Sequence, residues 1–184
     1  MPRRLYDARR RTDIPPPERH ATAAGRPASG RKMVVGMDIA DFIAADRVAL
    51  DLRGRDKTQL LQELAKRAAA SGAGVPADVI LAALRSREDL GSTGLGKGFA
   101  LPHARIDGLP KFFGLFARLA RPIDYDAIDG GPVDLVFLLL MPANAGNEHV
   151  AALAAVSRRF RDVDTASRLR KADAATALAL LTAR

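Results

Sequence analysis

The sequence predicts one α/β domain with a central mixed β-sheet flanked by helices on both faces. Three observations support this fold class. Segments with helical periodicity precede and follow a group of short apolar stretches. One of these stretches, residues 133–140, is almost continuously apolar, as expected for a strand that is covered on both faces. The length of 184 residues fits a single domain with a substantial core.

The first elements of this pattern are a helix, a strand and a longer helix. A short helix is predicted at 38–43 and a strand at 48–52. Asp56 is placed to cap the next helix, which runs to about Ala70. The apolar face of that helix comprises Leu60, Leu61, Leu64 and Ala68.

A second helix and three strands follow. The glycines within 71–74 end the preceding helix, and Pro76 opens the new one. Its apolar stripe comprises Val79, Ile80, Ala83 and Leu84. We predict strands at 98–101, 112–119 and 133–140, and the last of them is the central strand of the sheet.

Helices close the chain. Asn147 starts one that runs to about Arg161, and two short helices are predicted near 164–171 and 173–183. No internal repeat interrupts this order. The folded domain is therefore predicted to span residues 37–184.

The first 35 residues differ from the rest in composition. Residues 1–35 hold nine basic and three acidic residues, and so carry six of the eight net positive charges. They include three consecutive prolines at 15–17 and show almost no apolar periodicity, which predicts a disordered basic tail. The globular pattern begins near Met33 and Met37, so translation starting at one of these is an alternative that mass spectrometry tests.

Composition excludes several classes of protein. The chain has no cysteine, which excludes disulfides, thiolate catalysis and cysteine-bound zinc or iron–sulfur centres. The longest apolar run, residues 135–142, is too short to span a bilayer, and no secretory signal follows the basic N-terminus. We expect a cytoplasmic protein without membrane insertion. Because the excess charge belongs to the tail, we do not expect the folded domain to bind nucleic acid.

His103 is the candidate functional residue, since it follows a glycine-rich segment and the apolar run 99–102. By residue type alone it is either an ordinary half-buried histidine at a strand end or a chemical group. Arg87 and Arg105 can supply positive charge beside it. The N–H groups of three glycines are accessible to an anion, and these are Gly94, Gly96 and Gly98. Such a site suits a phosphoryl group better than a metal, and we expect no cofactor.

Two other kinds of site, a nucleotide-binding loop and a hydrolase triad, are considered for the same segment. The spacing of Gly91, Gly96 and Lys97 nearly matches a nucleotide-binding P-loop, but Gly98 replaces the required Ser or Thr and a strand follows. A hydrolase triad of Ser92, His103 and a nearby aspartate lacks the Gly-x-Ser-x-Gly turn. The candidate aspartates, predicted instead to build a turn and its caps, are Asp124, Asp126 and Asp129.

His149 lies in the first turn of a predicted helix and leaves two interpretations open. It is a surface residue near the helix start, or it lies beside His103 and donates a hydrogen bond to a transferred phosphoryl oxygen. The residues alone do not decide between them.

The long motif from Arg87 to His103 closely resembles the enzyme IIA domain of the bacterial phosphotransferase system. The resemblance is to the fructose/mannitol superfamily (EIIA type 2) and, within it, to the nitrogen-regulatory branch. It continues through 121–129 and 132–137, then at 142–143 and 148–149. It covers the chain from about Met37 to the C-terminus, whereas the basic tail lies outside the family pattern.

This resemblance implies a phosphocarrier with a phosphohistidine intermediate. His103 would accept a phosphoryl group on Nε2 from a histidine-phosphorylated carrier protein, HPr or its nitrogen-branch counterpart NPr. Arg87 would neutralise charge, and His149 would stabilise the phosphorylated form. The phosphorylation state would then regulate target proteins, with transporters and sensor kinases as typical targets.

Two alternatives remain beside this function. The first is a sugar-specific IIA subunit of the fructose or mannitol type, which passes phosphate to a separate IIB protein. The second is nucleic-acid binding through the tail, which predicts salt-dependent DNA binding that is lost when residues 1–32 are deleted.

Overall fold

A computed structural model describes residues 36–183 of the chain, so the predicted tail at 1–35 lies outside the described residues. The described part contains a six-stranded sheet. Its strands are β1 (Val48–Leu52), β2 (Gly94–Gly96), β3 (Phe99–Ala100), β4 (His103–Ile106), β5 (Phe113–Ile123) and β6 (Val133–Pro142). The sheet is mixed, as the sequence predicted, because parallel and antiparallel pairs both occur.

The helices lie close to their predicted positions. They are α1 (Lys57–Ala70), α2 (Ala77–Glu88), α3 (Glu148–Arg161), α4 (Val163–Leu169) and α5 (Ala174–Thr182). Two 3-10 turns, Ile39–Asp41 and Ala45–Arg47, precede β1. The predicted cap of α1 is confirmed, since the Asp56 carboxylate accepts the Gln59 N–H at 2.8 Å.

Strand β6 is the centre of the sheet. On one side it pairs antiparallel with β5, which pairs in turn with the parallel edge strand β1. On its other side β6 pairs with two short parallel strands, β3 at Leu135–Val136 and β4 at Leu139–Pro142. Strand β2 adds antiparallel to β3. Two segments of the chain therefore share one edge of β6.

Both faces of the sheet are covered, as predicted. Leu138 of β6 belongs to a core on the face of α1 and α2, where it joins Leu60 and Leu84. Leu139 points to the opposite face, where the core includes Val156 of α3 and Leu181 of α5. This alternation explains why β6 is apolar at nearly every position.

The structure also corrects several predictions. Strands β2 and β4 were not predicted, because each is short and β4 pairs with β6 alone. The predicted apolar stripe of α2 is wrong at Val79, whose side chain is exposed while Ile80 and Leu84 are buried. Strand β5 extends past Leu119 because Ile123 pairs with the first residue of β6.

Within residues 36–183, none of the helices combines the length and the apolar character that crossing a membrane requires.

The central position of β6 predicts a large effect of truncation there. Leu138→Ala removes a side chain with no exposed surface, and should lower the free energy of unfolding by about 3–4 kcal/mol. The matched control is Ile128→Ala, which removes a side chain that is 85% exposed and should cost less than about 0.5 kcal/mol. Urea denaturation measures both values, and equal losses would contradict the described packing.

Candidate functional site

His103 is the first residue of β4, at the edge of the sheet. Strands β3 and β4 follow one another along the same side of β6, and Leu101 and Pro102 lie between them. Pro102 has no N–H to give, but its carbonyl accepts the Leu139 N–H at 3.0 Å, which ties the break to β6. The Leu101 carbonyl lies 2.8 Å from Nδ1 of His103. The break therefore supplies the acceptor that orients the ring.

Two hydrogen bonds define the state of the His103 imidazole. Nδ1 donates to the Leu101 carbonyl, because a carbonyl oxygen can only accept. Nε2 accepts from Nε of Arg87 at 3.1 Å, because a guanidinium can only donate. The ring is therefore neutral, with its proton on Nδ1 and a lone pair on Nε2.

The surroundings favour this neutral form. Burial lowers the pKa of His103 below its ordinary value, and the positive charge of Arg87 lowers it further. The Leu101 carbonyl and the Glu88 carboxylate act in the opposite direction without reversing the shift. The Nε2 lone pair of His103 therefore carries no proton, which is the form of an imidazole that can act as a nucleophile.

Arg87 is held from two sides. It lies in the last turn of α2, and its Nη1 donates to the Gly91 carbonyl at 2.9 Å while its Nε contacts His103. The side chain is half-buried. The predicted placement of a guanidinium beside the histidine is therefore present in the structure.

His149 and Arg105 form the other side of the site. His149 lies in the first turn of α3, and Nη2 of Arg105 donates to its Nε2 at 2.7 Å. Its Nδ1 donates to the Gly146 carbonyl. Arg105 and His103 lie on the same face of β4, because side chains alternate along a strand. Arg105 therefore links His149 to the site of His103. Among the described hydrogen bonds, none joins the two imidazole rings directly.

These side chains line one open cleft of about 370 Å³. Its lining comprises Ala83, Ser86, Arg87, Leu90, His103, Ala104, Arg105, Met141, His149 and Leu153. Helix α2 supplies one wall and α3 the other, since β4 is an edge strand between them. Two guanidinium groups and no carboxylate occur among these lining residues of the described chain, so the cleft suits an anion.

The three predicted phosphate-surrounding glycines lie elsewhere, in the β2–β3 hairpin. A Cβ on Gly94 would lie 2.7 Å from the Cα of Ala127, and one on Gly96 would lie 2.9 Å from a carboxylate oxygen of Asp129. Gly98 has a φ of 79° and packs against Arg170. These glycines permit close packing and a tight turn. The structure does not bring them into the cleft of His103.

The alternative triad does not assemble either. Ser92 donates its hydroxyl to the Tyr125 carbonyl at 3.1 Å, and both ring nitrogens of His103 have other partners. Asp126 pairs with Lys57, and Asp129 accepts backbone N–H groups at the turn. Within residues 36–183, no group of three or more His, Cys, Asp or Glu side chains is placed to hold a metal ion.

Sequence reasoning missed two partners of His103. The Leu101 carbonyl fixes its tautomer, but a backbone acceptor leaves no signature in residue type. Glu88 lies near enough for its charge to raise the pKa of His103. The only sign of this role in the sequence is that an acidic residue follows Arg87 directly.

Comparison with known proteins identifies the relatives of this fold and site. Residues 41–183 match the family described as phosphoenolpyruvate-dependent sugar phosphotransferase system, EIIA 2. The chain is 46% identical over 142 residues to a nitrogen regulatory protein of Bradyrhizobium diazoefficiens. The aligned region covers 77% of this chain and 92% of the relative. It is 34% identical over 136 residues to a fructose-specific EIIA component of Haloferax volcanii, covering 74% and 88%.

A solved structure gives the same result. The nitrogen regulatory protein IIA-Ntr from Neisseria meningitidis superposes with a TM-score of 0.75 at 33% sequence identity. The match covers 78% of this chain and 99% of that protein. The mixed sheet with helices on both faces is therefore shared with a IIA-Ntr structure.

The contact between Arg87 and His103 predicts a change in titration. Arg87→Ala removes a positive charge and a hydrogen bond to Nε2, both of which oppose protonation, so the pKa of His103 should rise toward its ordinary value. NMR titration of the imidazole signals measures this shift. Arg85→Ala, on the same helix but outside the cleft, is the control and should leave the pKa unchanged. A pKa that stays low in Arg87→Ala would contradict the described electrostatics.

Proposed function

The chain belongs to the EIIA 2 family of the phosphoenolpyruvate-dependent sugar phosphotransferase system and is similar to its nitrogen regulatory proteins, and we propose that it accepts a phosphoryl group on Nε2 of His103. One observation carries this proposal. Nε2 carries no proton, accepts a hydrogen bond from Arg87, and faces a cleft that contains Arg87 and Arg105 but no acidic lining residue among the described ones. A nucleophile and two cations are what acceptance of a phosphoryl group requires.

The transfer follows from the two hydrogen bonds of His103. Nε2 attacks the phosphorus, a new N–P bond forms, and the donor nitrogen leaves with the electrons of the broken bond. The proton stays on Nδ1, and its hydrogen bond to the Leu101 carbonyl holds the ring in place. Before the transfer, Arg87 donates a hydrogen bond to the Nε2 lone pair. The guanidinium moves away from Nε2 as the phosphorus approaches, and it then donates to the phosphoryl oxygens.

Arg105 and His149 can stabilise the negative charge of the phosphoryl group from the other wall of the cleft. In the described state Arg105 donates to Nε2 of His149, so that nitrogen has no proton to offer. When the phosphoryl group arrives, Arg105 turns toward its oxygens and releases His149. Nε2 of His149 can then take a proton from water and donate a hydrogen bond to a phosphoryl oxygen.

The donor is a histidine-phosphorylated carrier protein, HPr or NPr. Two exposed apolar side chains suit the docking of such a protein. Leu90, 83% exposed, lines the cleft, and Val150, 57% exposed, follows the lining residue His149 in α3. The phosphate adds up to about two negative charges to this surface, enough to make or break contacts with a target such as a transporter or a sensor kinase. We place this exchange in the cytoplasm.

A second function is supported by one relative. The Haloferax volcanii protein is described as a fructose-specific EIIA component, and the same His103 chemistry would serve a sugar permease through a separate IIB protein. The nitrogen-regulatory function remains our first proposal, because the relative at 46% identity is a nitrogen regulatory protein.

Phosphorylation in vitro tests the acceptor. Purified protein incubated with phosphoenolpyruvate, enzyme I and the carrier should gain an acid-labile label, and His103→Ala should abolish it. His149→Ala is the matched histidine control and should still be labelled, at a rate reduced on the order of 10- to 100-fold. Full labelling of His103→Ala would refute the proposal.

Onward transfer separates the two functions. Labelled protein mixed with phosphate-free IIB domains of the fructose and mannitol type should keep its phosphate if it is a regulatory protein. Rapid loss of the label to a IIB domain, at a rate like that of a mannitol-specific IIA protein used as the positive control, would favour the sugar-specific function instead.

A further inference from the structure

The two hydrogen-bond partners of His103 are fastened to the same short loop. Arg87, which contacts Nε2, donates its Nη1 to the Gly91 carbonyl. Leu101, whose carbonyl holds Nδ1, donates its N–H to the Thr93 carbonyl at 2.9 Å. The orientation of the imidazole therefore depends on where the loop between α2 and β2 lies.

That loop is held by Glu88, the last residue of α2. Its carboxylate accepts the Thr93 hydroxyl at 2.6 Å and the Thr93 N–H at 3.1 Å. It also accepts from the Lys57 ammonium at 3.0 Å. The Glu88 side chain is only 9% exposed and Thr93 only 2% exposed, so these contacts are largely shielded from water.

A second buried group, the Tyr125 hydroxyl, forms a hydrogen bond with Thr93. The Tyr125 hydroxyl lies 3.1 Å from the Thr93 hydroxyl, which already donates to Glu88 and therefore accepts here. Burial raises the pKa of Tyr125, so the phenol keeps the proton that it donates. Burial also opposes the ionisation of Glu88, but the Thr93 and Lys57 hydrogen bonds outweigh it and lower the pKa of Glu88. The carboxylate remains charged.

We propose that Glu88 and Thr93 are positioning residues for the phosphoryl acceptor. Neither lines the cleft, and neither contacts the reacting atoms. Their contact, which we call the Glu88–Thr93 clamp, fixes the loop so that Arg87 and Leu101 hold His103 with Nε2 facing the cleft. This inference rests on the proposed function, since it concerns the rate at which His103 becomes phosphorylated.

The clamp predicts slower phosphorylation without loss of the acceptor. Glu88→Gln removes the charge, and Thr93→Val removes the hydroxyl while keeping the shape. Each should slow labelling of His103 by about one order of magnitude, because small displacements of a reacting group have effects of that size. Thr93→Ser keeps the hydroxyl and should be labelled at close to the wild-type rate. Asp89→Asn, an exposed neighbour of Glu88, is the matched charge control and should also retain the rate.

A double-mutant cycle distinguishes positioning from general weakening of the fold. If Glu88 acts mainly through Arg87, then Glu88→Gln should slow the Arg87→Ala variant much less than it slows the wild type. NMR adds a direct readout. The Arg87 Nε–H and His103 Nδ1–H signals should exchange faster with solvent in Glu88→Gln, and should stay protected in Asp89→Asn.

Several results would overturn the clamp. They are a Thr93→Ser variant as slow as Thr93→Val, or wild-type rates in both Glu88→Gln and Thr93→Val. Additive effects in the cycle would overturn the part of the clamp that acts through Arg87. If Glu88→Gln does not fold, the Thr93 pair decides the question on its own. Failure of the clamp leaves His103 labelled in the wild type, whereas failure of the proposed function leaves the wild type unlabelled or His103→Ala fully labelled.

Discussion

The structure around the candidate site depends on the sharing of one edge of β6 by two short strands. Strands β3 and β4 pair with successive parts of β6, and the chain between them cannot continue the ladder because Pro102 lacks an N–H. This interruption leaves the Leu101 carbonyl available to the ring of His103. A local break in backbone pairing thereby selects the tautomer that leaves Nε2 without a proton.

The same edge position explains how the charges assemble. Because β4 pairs only with β6 among the described strands, α2 and α3 can approach it from the two faces of the sheet, and each contributes a polar group to one cleft. Arg87 lowers the tendency of His103 to protonate, and Arg105 binds the only acceptor nitrogen of His149. The unphosphorylated site is thus arranged as two neutral imidazoles, each held by an arginine that a phosphoryl group can attract away.

Under the proposed function, a small number of contacts would link phosphorylation to regulation. A phosphoryl group on His103 would replace two arginine–histidine hydrogen bonds by contacts to its oxygens, and it would add negative charge to the cleft that Leu90 lines. The rest of the domain is tightly packed and need not move, since β6 is buried on both faces. A partner that binds at the cleft would then meet a different charge on an unchanged apolar surface.

The elements whose signals are local could be predicted from the sequence alone. Apolar periodicity and caps such as Asp56 located the helices, and the continuous apolar run located the central strand, because both depend on residues near one another in the chain. The motif from Arg87 to His103 and the charges of Arg87 and Arg105 gave the candidate site residues. Which of these residues meet depends on the tertiary structure. Strand β4 and the Arg105–His149 contact depend on pairing across 36 and 44 residues respectively, and such pairs leave no local pattern. The glycines lie in the hairpin and not in the cleft for the same reason, since distant carboxylates and side chains set the space that they occupy.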